Sequence, residues 1–139
     1  MTKRILVVED QEDNRQILRD LLGSAEYEMT EAENGEEALA AVVRDKPDLI
    51  LMDIQLPIMD GYEATRRIKA MPEFKSIPII VVTSYALSGD EGKARDAGCD
   101  AYVTKPYSPR ALLAKIREYM PKYFSEAKSS SSCTVRRVS

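Results

Sequence analysis

Apolar runs that end in charged or hydroxyl-bearing residues are the chemical signature of this chain. Residues 4–8 (RILVV) run into Glu9 and Asp10. Residues 48–52 (DLILM) run into Asp53, and residues 77–82 (IPIIVV) into Thr83 and Ser84. A short run at 101–103 leads through Thr104 to Lys105 and Pro106. Taken singly, each group has an ordinary role. An acid after a strand is commonly a helix N-cap, a role that suits Asp10, and a Lys-Pro pair is commonly a turn. Their convergence is less ordinary. Parallel strands present all their carboxyl ends at one sheet edge, and open sheets of that kind bind ligands there.

Three carboxylates at one edge repel, and each raises the others' pKa. A cation and the Lys105 ammonium relieve that repulsion. The donors are all oxygens, with no thiol or imidazole among them, which selects Mg²⁺ or Mn²⁺ over zinc or copper. A hard ion with open positions, an ammonium and the Thr83 hydroxyl are suited to holding a phosphoryl group. Carboxylates form aspartyl phosphates, and Asp53, at the end of the central run, is the expected acceptor.

Composition narrows the alternatives. The chain has 139 residues and no histidine. That absence excludes Ser-His-Asp hydrolysis, a His-ligated zinc site and a phosphohistidine on this chain. Net charge is −3, which makes a poor sequence-independent nucleic-acid binder. Cys99 and Cys133 cannot build a disulfide framework, so a reducing, cytoplasmic setting is expected. No apolar run is long enough for a membrane span and no leader precedes the first strand, so neither a membrane location nor secretion is expected.

The elements that must position these groups read as strand and helix in alternation, five times. After the first run, Ile17, Leu18, Leu21 and Leu22 share a helical face and Gly23 is the expected stop. Residues 28–32 (EMTEA) form a weaker strand. Asn34 caps the next helix with Glu37 as its capping-box partner, and Leu39, Val42 and Val43 form its apolar stripe. Asp60 and Glu63 repeat the capping spacing ahead of Tyr62, Thr65 and Ile68. A fourth helix is expected over about 87–97 with Gly98 as its stop. Ser108 and Pro109 open a fifth, which buries Leu112, Leu113 and Ile116. Ile58, Met59 and Met71 are expected to pack near the third helix, and Cys99 to behave as a small buried hydrophobe. Continuous rather than alternating Val/Ile/Leu runs imply strands covered on both faces. The fold class is therefore α/β, a doubly wound five-stranded parallel sheet with right-handed crossovers. A generic nucleotide-binding α/β domain shares that pattern. One domain is expected over 1–124. Residues 125–139, with six serines in fifteen positions, read as a passive disordered tail.

The segments ILVVEDQEDNR, PDLILMDIQLPIMDGYE, IPIIVVTSYALSGD and AGCDAYVTKPY resemble those of two-component response-regulator receiver domains, over about residues 1–122. The wording around Asp53 is similar to stand-alone regulators of the DivK type. The resemblance implies the flavodoxin-like, CheY-like (βα)5 fold with strand order 2-1-3-4-5. It implies Asp53 as phosphoacceptor, Glu9 and Asp10 as the acidic pair holding Mg²⁺, and the main-chain carbonyl of Gln55 as a further metal ligand. It also implies Lys105 as the ammonium that pairs with Asp53 and then the phosphoryl group, with a cis Lys105-Pro106 bond. Thr83 would be the switch hydroxyl and Tyr102 its aromatic partner. Gln55 and Tyr85 would tune autodephosphorylation. Glu9, Ser84 and Tyr107 stand where many members have Asp, Ala and Phe.

The donor implied is a histidine kinase or a histidine phosphotransfer protein, since this chain cannot carry the phosphohistidine itself. Output would run through a downstream protein target, with a homodimer through the face of the fourth helix, fifth strand and fifth helix as one form. The stretch beyond residue 122 is too short for a helix-turn-helix module, so no nucleic-acid partner is expected. Two rivals are an aspartyl-phosphate phosphohydrolase and an adaptor that works without phosphorylation. The first wants an acid two residues after its nucleophile, where this chain has Gln55. The second is disfavoured by the presence of every acid, Thr83 and Lys105.

Overall fold

The burial of whole strands organises this molecule. A computed structural model describes residues 3–83, 90–105 and 107–119. The elements are β1 (Arg4–Val8), α1 (Glu12–Ser24), β2 (Glu28–Ala32), α2 (Gly35–Asp45), β3 (Leu49–Asp53), α3 (Gly61–Lys69), β4 (Ile79–Thr83), α4 (Asp90–Ala97), β5 (Ala101–Thr104) and α5 (Pro109–Tyr119). All pairings are parallel, in the order β2-β1-β3-β4-β5. The expected topology is the one observed. Every residue of β3 and β4 is buried, whereas the edge strands β2 and β5 are mostly half-exposed. Ser84, Tyr85, Pro106, the expected first turn of the fourth helix and the 120–139 segment with Cys133 lie outside the described residues.

Side chains alternate across the sheet, so each strand feeds two cores. Ile5, Val7, Leu49, Leu51, Ile80 and Val82 meet Leu18 and Leu22 of α1 and Leu112 and Ile116 of α5. Leu6, Val8, Ile50, Met52, Ile79 and Val81 meet Ala38, Ala41 and Val42 of α2 and Ala64 and Ile68 of α3. Burying a Leu- or Ile-sized side chain contributes about 1.5–3 kcal/mol, so these layers hold the strand ends in place.

Local signals set the boundaries. Asn34 Oδ1 accepts from Glu37 N–H at 2.8 Å, and Glu37 reaches back to Glu33 N–H at 2.9 Å. Asp60 accepts from Glu63 N–H at 2.9 Å, but Glu63 turns outward to Arg66 and Arg67 instead of closing a capping box. Ser108 Oγ accepts from Ala111 N–H at 3.0 Å, as its N-cap position requires.

Several expectations are corrected. Gly23 does not stop α1. Glu26 takes the left-handed conformation (φ 68°), and Tyr27 N–H reaches Leu22 C=O at 2.9 Å while Glu26 N–H reaches Gly23 C=O at 3.0 Å. Those two bonds are a Schellman closure, and Tyr27 packs in the same core as Leu22. β3 begins one residue late, at Leu49; Asp48 before it is tied to Arg4 twice, its N–H donating to Arg4 C=O and its carboxylate accepting from Arg4 N–H, each at 2.8 Å. β4 begins two residues late, after Pro78, which has no N–H to offer a ladder. Asp10 caps nothing; the N-cap of α1 is Gln11, without a side-chain bond. Ile17 and Val43 face outward rather than into the core, and Cys99 is half-buried. Ile58 is 74% exposed. It has φ 69° between Pro57 C=O and Met59 N–H, which are bonded at 2.7 Å. That is a γ-turn of the rare, strained kind, and it turns the Ile58 side chain out.

Candidate functional site

The chain order reverses between β1 and β3, and the crevice at that switch point lies where parallel sheets bind ligands. The β1–β3 register ends with Val8 opposite Met52, so the next residues, Glu9 and Asp53, stand side by side at the carboxyl edge. The same alternation puts Glu9, Asp53 and Lys105 on the α1/α5 side of the sheet, in line with Val7, Leu51 and Val103. Lys105 N–H donates to Thr83 C=O at 2.7 Å and so extends the β4–β5 ladder one residue past its last strand pair. From there its ammonium lies 3.1 Å from Glu9 Oε1 and 3.5 Å from Asp53 Oδ2. One carboxylate oxygen from each of Glu9, Asp10 and Asp53 lies within 4.8 Å of the other two. Three carboxylate oxygens gathered this closely would serve as ligands to one hard ion. The donors are all hard, and Asp10 is exposed to solvent while Glu9 and Asp53 are buried. These residues fit a hard divalent cation that keeps some of its waters.

The charges here are unequal. Burial, then the charge of Glu9, pushes the Asp53 pKa up to about 6 against the opposing pull of Lys105. Burial also works against the charged form of Glu9. The Lys105 ammonium, the Gln11 N–H and the Asn14 side chain together outweigh it and hold Glu9 below its usual value. Burial would lower Lys105, but Asp53 and Glu9 raise it. Without a metal, Glu9 and Lys105 form the charged pair and Asp53 is the first of the two acids to protonate. Both Asp53 oxygens are loosely held, Oδ1 by Gln55 N–H at 3.3 Å and Oδ2 by Lys105.

The other expected site residues fall into two groups. Gln55 is exposed beside Asp53, and Thr83 is buried at the end of β4. Tyr102 lies on β5 opposite Val81 and packs toward the α2/α3 core. There it lines a cavity of about 140 Å³ with Arg95, Cys99, Asp100 and Ala101. The acids and Lys105 are thus gathered at one point, while Tyr102 lies across the sheet from them. Sequence reasoning passed over Arg15. Its spacing to Leu18 and Leu22 puts it on the buried stripe of α1, and only 8% of it is exposed. A charged residue on an apolar stripe is the signal that marks it.

Gly61 fixes the approach of α3. A Cβ there would run into the Asp53 carbonyl oxygen and come within 2.9 Å of Ile54 Cα. Both obstacles are backbone, so neither can swing aside. Gly61→Ala is expected to cost ~1–3 kcal/mol of stability, the usual range for overpacking. Urea unfolding measures it, and an unchanged midpoint would show that α3 can back away freely.

Comparison with known proteins agrees with this geometry. The response regulator receiver domain family matches residues 5–117. The polar-differentiation response regulator DivK of Brucella anthropi is 43% identical over 120 residues, covering 86% of this chain and 98% of that protein. A CheY-like receiver domain protein of Methanospirillum hungatei superposes with a TM-score of 0.82 at 33% identity, over 91% of this chain and 100% of that one. The receiver domain of a sensor histidine kinase of Pseudomonas aeruginosa superposes with a TM-score of 0.80 at 35% identity, over 86% of this chain and 98% of that one. That structure carries a magnesium ion in its active-site cleft. With its sheet order, its acidic switch-point crevice and these matches, the chain belongs to the response regulator receiver domains of two-component signalling.

Proposed function

We propose that this receiver domain takes a phosphoryl group onto Asp53 from the phosphohistidine of a histidine kinase or histidine phosphotransfer protein, with Glu9, Asp10 and Asp53 holding Mg²⁺ or Mn²⁺. The observation that carries the reading is Asp53 itself. It is a buried carboxylate with two weakly engaged oxygens, set between two acids and an ammonium at the switch point. Its elevated pKa still leaves it ionised at neutral pH, so the nucleophile is available.

In the proposed step an Asp53 oxygen forms the new P–O bond as the donor's P–N bond breaks, and the departing imidazole retains or takes up a proton. A bound divalent ion would supply neutralisation of charge on the phosphoryl oxygens. Lys105, released from Asp53 Oδ2, follows the charge onto the phosphoryl group. The Gln55 carbonyl would complete the set of protein ligands to the metal. Thr83 donates its hydroxyl to a phosphoryl oxygen, and Tyr102 moves into the space that Thr83 leaves. A phosphate of this kind adds roughly −1.5 to −2 charge, so a change at Asp53 reaches the face of α4, β5 and α5 as a shift in populations. Gln55 and Tyr85, two residues beyond Asp53 and Thr83 along the chain, set the phosphoryl lifetime. The output partner is a downstream protein, with self-association through that face as one outcome. The setting is the cytoplasm, which accords with the chain's two cysteines and with the finding that no described helix is long and apolar enough to cross a membrane.

The test uses the full chain with phosphoramidate, which offers the same P–N bond as phosphohistidine, and then with candidate phosphorylated kinases. Expected are a mass gain of one phosphoryl group mapped to Asp53, lability to hydroxylamine, and loss of the reaction in EDTA. A gain on any other residue, or one indifferent to EDTA, would overturn the assignment.

A further inference from the structure

We propose that Arg15 is a positioning residue for the divalent-ion site, acting by fixing the peptide plane between Glu9 and Asp10. The assignment rests on the reading of Glu9, Asp10 and Asp53 as that site. β1 ends at Val8, so the ladder to β3 no longer holds the chain at Glu9. Glu9 N–H is still tied to β2, donating to Ala32 C=O at 3.0 Å. Its carbonyl is instead taken by Arg15 Nη1 at 2.8 Å. That carbonyl lies in the peptide plane that carries Asp10, and rotation of the plane would swing the Asp10 carboxylate relative to Asp53. Arg15 thus replaces the missing strand partner at the residue where the acids begin.

The guanidinium is itself held from several sides. Nε donates to Glu31 Oε1 at 3.0 Å and Nη2 to Glu12 Oε1 at 2.6 Å, and Glu33 Oε2 lies 3.7 Å from Nη2. Arg19 grips Glu31 with two further bonds, Nε to Oε2 at 2.9 Å and Nη2 to Oε1 at 2.8 Å. The carboxylate that steadies Arg15 is therefore also immobilised. A planar fork with fixed partners transmits position in a way that the flexible point charge of a lysine does not.

The sign of the effect separates geometry from charge. A cation near a metal site opposes metal binding by Coulomb repulsion. If Arg15 mattered here through its charge alone, removing that charge would tighten Mg²⁺ binding. Positioning predicts weaker binding, and predicts it for Arg15→Lys, which keeps the charge.

Calorimetric Mg²⁺ titration of the full chain tests this, with circular dichroism to confirm folding. Loss of a group that orients metal ligands ordinarily weakens affinity ~10–100-fold. We expect that for Arg15→Lys and Arg15→Gln. Arg19→Lys, which disturbs Glu31 but does not touch Glu9, should stay within about twofold of the parent, well short of that range. Should Arg15→Gln fail to fold, Arg15→Met combined with Glu31→Gln removes charge and counter-charge together and should show the same loss. Folded Arg15 variants that bind Mg²⁺ as the parent does, or more tightly, would overturn the positioning role and leave the metal site standing. Equal weakening in Arg19→Lys would reduce Arg15 to a general structural part and likewise overturn it. A parent protein that binds no Mg²⁺ would overturn the metal site, and this assignment with it.

Discussion

Asp53→Asn is expected to abolish phosphoryl acceptance and, in the absence of metal, to make the protein more stable at neutral pH. The first effect is chemical. An amide oxygen is a poor nucleophile, and removing the attacking group of a reaction of this type costs on the order of 10³-fold or more. The second is electrostatic. The Asp53 pKa rises from 3.8 to about 6 in the folded protein because burial and Glu9 both disfavour its charge. The folded state therefore binds this proton more tightly than the unfolded state does. The stability the proton contributes is fully present below about pH 4 and is lost as pH rises through about 6. Above that range the ionised carboxylate costs ~3 kcal/mol, at about 1.4 kcal/mol per pKa unit. Asparagine keeps the shape and carries no charge. In EDTA at pH 7.5, urea unfolding should show Asp53→Asn as the more stable protein, and the gap should close toward pH 4. Added Mg²⁺ should narrow it, because the ion binds and stabilises the carboxylate form. An Asp53→Asn protein that is less stable in EDTA at pH 7.5, or a gap that ignores pH, would mean that Asp53 is not strained by its surroundings.

That strain also marks where sequence reading reached its limit. The acidic edge was legible because parallel topology alone brings the ends of β1, β3, β4 and β5 together, whatever the side-chain details. The strands themselves were legible because two-sided burial leaves β3 and β4, and β1 after Arg4, no position for a charge until their carboxyl ends. What pattern could not show is which acid carries the proton. That depends on how burial and the Glu9 charge act on Asp53, against the pull of a Lys105 ammonium that also pairs with Glu9. Helix ends misled where tertiary packing overrode a local signal. Gly23 looked like a stop, yet Tyr27, five residues after Leu22, packs in the same core as Leu22, and the left-handed residue becomes Glu26. Arg15 was passed over because a charged residue in a motif reads as surface. Of its partners only Glu12 shares its helix; Glu9, Glu31 and Glu33 lie outside α1, and nothing in one segment announces them. Ile58 looked like packing because it is apolar, but the γ-turn decides its direction.

Lys105→Met is expected to slow phosphoryl acceptance by ~10²–10³-fold, the loss typical when one fixed donor to a developing anionic centre is removed. The metal-binding arm of the same experiment should move the other way. Lys105 is the cation that pairs with both Glu9 and Asp53 among the described residues, and a divalent ion entering between those acids is repelled by it. Methionine removes that repulsion and keeps the aliphatic packing of the stem. Mg²⁺ affinity, measured by calorimetry, should therefore hold or tighten while the transfer rate collapses. Lys105→Arg restores charge but carries it on a planar fork of different reach, so its rate should recover only partly. This opposition between binding and rate is what separates an ammonium that waits for the phosphoryl group from one that merely balances the acids at rest. In the second case Lys105→Met would bind the ion more tightly and transfer at nearly the parental rate, since the metal would have taken over the balancing. A rate within threefold of the parent, a far smaller loss than that of a transition-state donor, would assign Lys105 to the resting state alone.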